Sequence, residues 1–365
     1  MHGPIEHLPV RHRERVAVLL NANAKAVSEG LRRELENFVP PEDLFWSRSF
    51  DDARTIARTV LERGYTTVLT GGGDGTFVGY LNCLLDEASE PQVVVRGGGA
   101  MQLARHRFRV PRFGVLKLGT GNAVAEFCGS SARRIGVVED ILRTRSGEVS
   151  VAHRLHLLTC EDKLAPFAGL GIDAAVLNDY VRLKKGLEGG RLQFAGVGGL
   201  GYFLSVVGRT IPSYLLQRSA PNVEVVNLGA PALQIGPDGR PIGRDIPRGA
   251  VIYRGPCRVA AAGTVPYYGF GFKVFPFALK APGRFQLRLS AMGVPKILAH
   301  LPRLWRGQTP RTGMLDFQCD KVQVSFDREM PLQIGGDAEG YRKQLVLEMS
   351  DRQLELLDFT RYGRA

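Results

Sequence analysis

The run Gly71-Gly72-Gly73-Asp74-Gly75-Thr76 joins a β-branched segment, Thr66-Thr67-Val68-Leu69, to apolar residues at helical spacing, Phe77, Leu81, Leu84 and Leu85. That order predicts a strand, a glycine turn and a helix start. Glycines let backbone N–H groups approach a ligand with no Cβ in the way, and the start of a helix favours anions. A phosphate is the expected occupant. Asp74 sits inside the turn, and a bare carboxylate beside phosphates repels them unless it binds a cation or a nucleotide donor. The pattern therefore implies Mg2+ or nucleotide hydroxyls at Asp74.

Two common phosphate loops do not fit. Thr76 stands where a Rossmann turn has its third glycine, and no Gly-Lys-Ser/Thr follows as in a Walker A loop. A second glycine turn, Gly119-Thr120-Gly121-Asn122, follows an apolar strand from Phe113 to Leu118 and opens a helix at Ala123. One strand–helix unit separates the two turns. Parallel neighbouring strands bring such turns to one C-terminal sheet edge, where open α/β folds bind ligands.

Positioning these turns needs an α/β unit, and the flanking sequence supplies one. Val16 to Leu20 reads as a buried first strand, followed by the polar turn Asn21-Ala22-Asn23-Ala24-Lys25 and a helix over 29–38. Ala53, Ile56, Ala57, Val60 and Leu61 form one face of the next helix, with Asp51 or Asp52 at its start and Gly64 as its stop. The connection from Gln92 to Arg112 is rich in Gly and Arg and reads as a solvated face or an anion-facing loop. A helix from Ala132 to Leu142 closes the unit.

The texture changes near Arg145-Ser146-Gly147. Beyond it, short runs separated by Gly and Pro predict an antiparallel β unit: His153 to Cys160, Val223 to Leu228, Val251 to Ala262, Phe272 to Phe275 and Phe285 to Leu289. At 365 residues the chain has room for two cores. The net charge of +12 favours anionic partners. Five scattered cysteines without a Cys-x-x-Cys pair argue against a zinc site or a disulfide framework and fit a reducing cytoplasm. The residues through Arg15 are polar, with no apolar core of a secretory signal. The most apolar later window, 194–211, falls short of a membrane span, which needs about 20 apolar residues.

Gly-Gly-Asp-Gly-Thr at 72–76 resembles the signature of the diacylglycerol kinase catalytic-domain family, which includes sphingosine and ceramide kinases. NAD kinases carry the same string. Further motifs follow in the family's order: Lys117-x-Gly119-Thr120-Gly121-Asn122-Ala123, Gly169-x-Gly171-x-Asp173-Ala174, Tyr267-Tyr268-Gly269-Phe270-Gly271 and Pro276-x-Ala278. The family has a final aspartate where Ala123 stands, and Ala123 is closer to its sphingosine and ceramide kinase branch. The resemblance covers about Val16 to Leu357. It implies a two-domain α/β plus β fold: a nucleotide-binding unit over 1–145, a β-sandwich lipid-substrate unit over 146–344, and residues 345–365 returning to the first.

The resemblance also implies roles. Asn21, Asn23, Lys25 and Ser47 join Gly72, Gly73, Asp74, Gly75, Thr76, Gly119, Thr120, Gly121 and Asn122 around ATP, with Asp74 on Mg2+ and Asp173 at the substrate. The family's Asp-Gly-Glu hairpin aligns with Gly335-Gly336-Asp337-Ala338-Glu339. Aligning the glycine makes Asp337 the base, the preferred reading because it keeps the strand register; aligning the acids makes it Glu339. Pro282-Gly283 replaces the Asp-Gly of a structural Mg2+ site, which is therefore not expected. The implied protein is an ATP-dependent kinase of a diacylglycerol- or sphingoid-like lipid, working peripherally at an anionic membrane from the cytoplasm. A homodimer is compatible with this and nucleic acid is not an expected partner. An NAD kinase-type enzyme and a nucleotide-binding regulator without catalysis are the alternatives.

Overall fold

The computed structural model describes residues 15–89, 92–95, 101–104, 108–149, 151–171, 220–269, 271–310 and 312–361. Asp173, the helix expected after it, window 194–211 and the arginines at 96, 105 and 107 lie outside the described residues.

The N-terminal unit runs β1 (Val16–Asn21), α1 (Glu29–Leu35), β2 (Leu44–Ser47), α2 (Phe50–Glu62), β3 (Thr67–Gly72), α3 (Asp74–Ser89), β4 (Gln92–Val95), β5 (Met101–Ala104), β6 (Arg112–Lys117), α4 (Ala123–Phe127) and α5 (Arg134–Arg145). Strands β2, β1, β3 and β6 are neighbours in that order and all parallel. β1 is an unbroken apolar run because strands flank it on both sides and its side chains are buried. The helices begin where side chains satisfy their free N–H groups. Ser28 accepts from the Leu31 N–H, and Ser49 and Asp52 form a reciprocal capping box. α1 stops at Leu35 rather than Phe38, whose ring is half exposed and has no core to join. The basic connection contains the small antiparallel β4–β5 hairpin.

The rest is antiparallel: β7 (Ala152–Cys160), β8 (Lys163–Ala165), β9 (Phe167–Gly171), β10 (Asn222–Asn227), β11 (Ala232–Ile235), β12 (Pro241–Ile246), β13 (Val251–Pro256), β14 (Val259–Gly263), β15 (Phe285–Ser290), α6 (Val294–Trp305), β16 (Met314–Cys319), β17 (Lys321–Ile334) and β18 (Asp337–Leu357). Two expected strands differ. The run from Val251 to Ala262 breaks at Cys257-Arg258: β13 pairs with β10, whereas β14 lies between β9 and β15. Phe272 to Phe275 is irregular chain instead of a strand, and Phe275 packs under Gly263, where a Cβ would lie 2.3 Å from its ring. α6, with basic and apolar residues interleaved, is an element that strand patterning did not predict.

Two domains thus share one continuous mixed sheet, and β18 joins them. It pairs with β17 from the Asp337 end as far as Glu348, then with β7, and meets β6 in parallel at Leu356 opposite Phe113. Phe359, just beyond it, is buried in the α/β core beside Gly114.

Candidate active site

The parallel strands end together. Asn21 of β1 lies in register with Ser47 of β2, Leu20 with Gly71, and Gly72 with Lys117 of β6. Both glycine turns leave this edge, as parallel order requires. Their glycines are needed for contact rather than for left-handed backbone. A Cβ on Gly119 would lie 2.2 Å from Gly73 Cα, and one on Gly73 would lie 2.9 Å from the Gly121 carbonyl oxygen. The two turns pack backbone against backbone.

Asp74 fastens them. It opens α3, yet its carboxylate reaches the other turn: Oδ2 accepts from the Ala123 N–H at 2.8 Å and Oδ1 from the Val124 N–H at 2.9 Å. These are the first N–H groups of α4, which Asn122 does not cap with its own side chain. Asn122 instead folds back on Gly119, accepting from its N–H and donating to its carbonyl. Asp74 is 5% exposed. Burial pushes its pKa up to about 6; the two backbone N–H groups pull it down, and the Asp337 charge adds to the rise.

Asp337 arrives from the far end of the sequence. β17 and β18 form a hairpin whose last pair is Ile334 with Asp337, turned by Gly335 and Gly336 at φ +58° and +90°. Both positions need left-handed backbone, which suits glycine in a two-residue hairpin. The Gln333 side-chain oxygen accepts from the Gly336 N–H and Phe167 O from the Gly335 N–H, so the turn is held from two sides. A Cβ on Gly75 would lie 2.5 Å from Asp337 Oδ1, which places this carboxylate over the first turn of α3. Solvent reaches Asp337, but protein crowds it within the cleft. That crowding raises its pKa, Glu339 raises it further, and Lys163 opposes both. Glu339 is engaged elsewhere, with Lys163 Nζ 2.6 Å from its Oε1. Lys163 is carried by β8, which Asn82 of α3 holds by two hydrogen bonds to Leu164.

The remaining expected residues divide. Asn21 donates through Nδ2 to Thr76 Oγ1 at 2.8 Å, so the first strand end touches the first glycine turn. Asn23 donates to the Arg48 carbonyl and braces the neighbouring loop. Ser47 is buried, and its hydroxyl donates to the Ser49 carbonyl within its own turn. Lys25 is exposed at the rim. Thr120 is half-buried between the turns' glycines.

Three further residues contribute: Lys117 and Gly269, which stand in the motifs without an assigned role, and Lys163, which sequence reasoning passed over. Lys117 forms an ion pair with Glu126 beside the second turn. Lys163 neutralises Glu339. Gly269, at φ +123°, brings the Tyr267-Tyr268 loop against the site; its Cβ would stand 3.8 Å from Gly121 Cα. Tyr268 is fixed there between Phe167 and Phe275, with ring centroids 4.7 and 5.8 Å away. The positive charge of Lys117 and Lys163 was legible, but their partners are 9 and 176 residues distant.

Among the described residues no group of three or more His, Cys, Asp or Glu forms a ready metal cage. A Mg2+ ion bound with a nucleotide does not need one, since it is commonly held by one or two carboxylates and the phosphates. Asp74 fits that use. Each of its oxygens accepts one N–H and keeps a second lone pair, and the neighbouring Asp337 carboxylate adds a second negative charge near the site.

Residues 15–153 match the family model described as diacylglycerol kinase catalytic domain. No curated protein matches the chain. Among solved structures, a Bacillus anthracis protein classed as a candidate diacylglycerol kinase is similar at TM-score 0.62 and 15% identity, over 96% of this chain and 98% of that one. A diacylglycerol kinase structure from the same organism is similar at TM-score 0.57 and 13% identity, over 94% and 97%. At such identities the structures speak for the fold, a two-domain α/β plus β architecture along almost the whole chain. The segment that matches the diacylglycerol kinase catalytic-domain model, residues 15–153, is the one that holds both glycine turns and Asp74, and there the chain is similar to that family.

Proposed function

We propose that the chain transfers the γ-phosphoryl group of ATP to a hydroxyl of a diacylglycerol- or sphingoid-like lipid. The observation that carries this reading is the meeting of Asp74, both glycine turns and Asp337 at one edge of the sheet. Phosphoryl transfer demands positioning and charge stabilisation more than covalent chemistry. Backbone N–H groups of the two turns, with the Thr76 and Thr120 hydroxyls, bind the phosphates. Asp74 holds the turns at a fixed spacing and offers its remaining lone pairs to Mg2+, whose charge would neutralise the phosphate oxygens. Asp337 takes the acceptor proton: the lipid oxygen bonds to the γ-phosphorus, the bond to the β–γ bridging oxygen breaks, and ADP leaves. Burial and the Glu339 charge raise its pKa and so make it a stronger base, and it is not held in the Lys163 ion pair that occupies Glu339. The β unit, residues 146–344, would take the lipid.

Turnover with γ-labelled ATP and a total lipid extract tests the reading, with mass spectrometry of the products. A phosphorylated lipid that disappears in Asp337→Asn supports it. Label transferred to NAD instead, or ATP binding with no transfer to any acceptor, would reject it in favour of a soluble-substrate kinase or a non-catalytic nucleotide binder.

A further inference from the structure

The positive charge of this chain is not spread evenly. Residues 246–315 contain eleven of the 48 Lys and Arg and none of the 36 Asp and Glu, so this segment alone carries +11 of the net +12. The remainder of the chain is close to neutral. Such segregation concentrates positive charge on the elements from β13 to α6, and a cluster of unpaired like charges attracts anions over the distance of a Debye length.

Some of that charge is spent internally. Arg288 is buried against Asp316, Arg254 pairs with Glu224, and Lys280 donates to the Gly239 carbonyl. Of the exposed charge that remains, Arg248 lies on the β12–β13 turn, whereas Lys296, Arg303 and Arg306 fall together on α6 and its end. Leu304 is buried and Ile297 half-buried on its inner side. Lys296, Ala299, Arg303 and the following Arg306 are exposed at spacings of three and four, which places them on one stripe. Lys296, Arg303 and Arg306 have no ion-pair partner among the described residues.

α6 also stands beside the cleft. Trp305 stacks on Phe272 with ring centroids 5.8 Å apart, and the Lys273 N–H donates to the Trp305 carbonyl. A Cβ on Gly271 would lie 3.8 Å from Trp305 Nε1 and 3.9 Å from Glu126 Oε1. The loop that touches the second glycine turn through Gly269 is therefore clamped to the base of the basic helix.

We infer that α6 docks the protein on an anionic phospholipid bilayer and so presents the cleft to the lipid surface. The inference supplies the surface partner for the lipid-kinase reading. Three surface charges of this kind are worth about 1 kcal/mol each, or about 5-fold in affinity apiece. The test compares wild type with Lys296→Gln/Arg303→Gln/Arg306→Gln in sedimentation with vesicles of phosphatidylcholine alone or mixed with phosphatidylglycerol. The same proteins are assayed on a short-chain diacylglycerol in neutral detergent. Wild type is expected to bind only the anionic vesicles and to release them in high salt. The triple variant should bind about 100-fold more weakly, with unchanged turnover in detergent.

A control variant, Arg33→Gln/Arg244→Gln/Arg352→Gln, removes the same charge from exposed sites elsewhere and should keep its binding. Equal vesicle binding by the α6 triple, an equal loss in the control, or tighter binding of wild type to duplex DNA than to vesicles would overturn the inference. If the triple lowers the melting temperature, the three single variants carry the same comparison at about 5-fold each. Vesicle binding through α6 without any detergent activity would remove the kinase reading and leave the docking intact.

Discussion

Asp74→Asn separates what the buried carboxylate costs the fold from what it gives the site. The folded chain holds a proton on Asp74 with a pKa of about 6, against an ordinary 3.8. Stability from that proton is fully present below about pH 4 and is lost as pH rises through 6. Roughly two pKa units correspond to about 3 kcal/mol. Asparagine never ionises and escapes this loss. It keeps one acceptor oxygen for the N–H groups of Ala123 and Val124 and turns an amide NH2 towards the other, which costs about 1–3 kcal/mol at every pH. A protonated carboxyl avoids that clash by turning its hydrogen away. The variant is thus expected to be less stable than wild type at pH 4 and about equal at pH 8, a relative swing near 3 kcal/mol. Urea unfolding of both proteins at the two pH values measures the swing. Turnover should fall by several kcal/mol of transition-state stabilisation. Parallel pH profiles would refute the buried-carboxylate account, and more than about a tenth of wild-type turnover at saturating Mg2+ would refute the functional one.

Asp337→Asn is expected to reduce lipid phosphorylation by about 10² to 10⁴ while calorimetry shows ATP affinity unchanged; Glu339→Gln should be milder, and the reverse ranking would move the base to Glu339. Gly119→Ala puts a methyl 2.2 Å from the Gly73 backbone, so the turns must part; native-like ATP binding in that variant would show that they need not touch. Arg288→Met strands a carboxylate that is 1% exposed and should cost about 3–5 kcal/mol. The double variant with Asp316→Leu should recover most of that loss in urea unfolding, and no recovery would mean the pair is not the cause.

The glycine turns were legible because their glycines are contiguous and sit between segments of different period. Their reason was not. Sequence reading assigns the glycines to an approaching ligand, whereas Gly73, Gly119 and Gly75 are equally required by the other turn and by Asp337. No local pattern reports a contact made across such distances. The choice between Asp337 and Glu339 stayed open for a similar reason. Alternation on a strand puts both on one face; what separates them is the ion pair of Glu339 with Lys163, 176 residues away, and the approach of Asp337 to Gly75. β13 and β14 read as one strand because both are rich in small and β-branched residues; their separation rests on pairing with different partners. α6 was missed because Pro295 and Pro302 interrupt its pattern. Pro295 is in fact tolerated in the first turn, where the missing N–H has no intrahelical use.

The sheet explains how an acid from residue 337 can be aimed at a turn beginning at residue 71. β18 does not merely return the chain to the first domain. Its Asp337 end closes the hairpin over α3, and its Leu356 end pairs with Phe113 of β6. β6 in turn leads within a few residues to Gly119, whose turn Asp74 holds against α3. Chain and hydrogen bonds together therefore form a closed circuit from the proposed base, along β18, through its pairing with β6 to the second glycine turn, and back through the Asp74 side chain to the helix beneath the base. A strand resists stretching along its axis, so the hairpin cannot shift lengthwise without breaking its pairing with β17, β7 or β6. The pairing shifts register between Ser325 and Met330, between Met349 and Gln353, and, close to the tip, between Pro331 and Gln333, after which the pairs Gln333–Ala338 and Ile334–Asp337 close the hairpin. The position of Asp337 is thereby fixed by the same sheet that fixes the phosphate-binding edge. The Tyr267-Tyr268 loop and the basic helix that packs on its far end lie outside this circuit and are held to it by side-chain contacts.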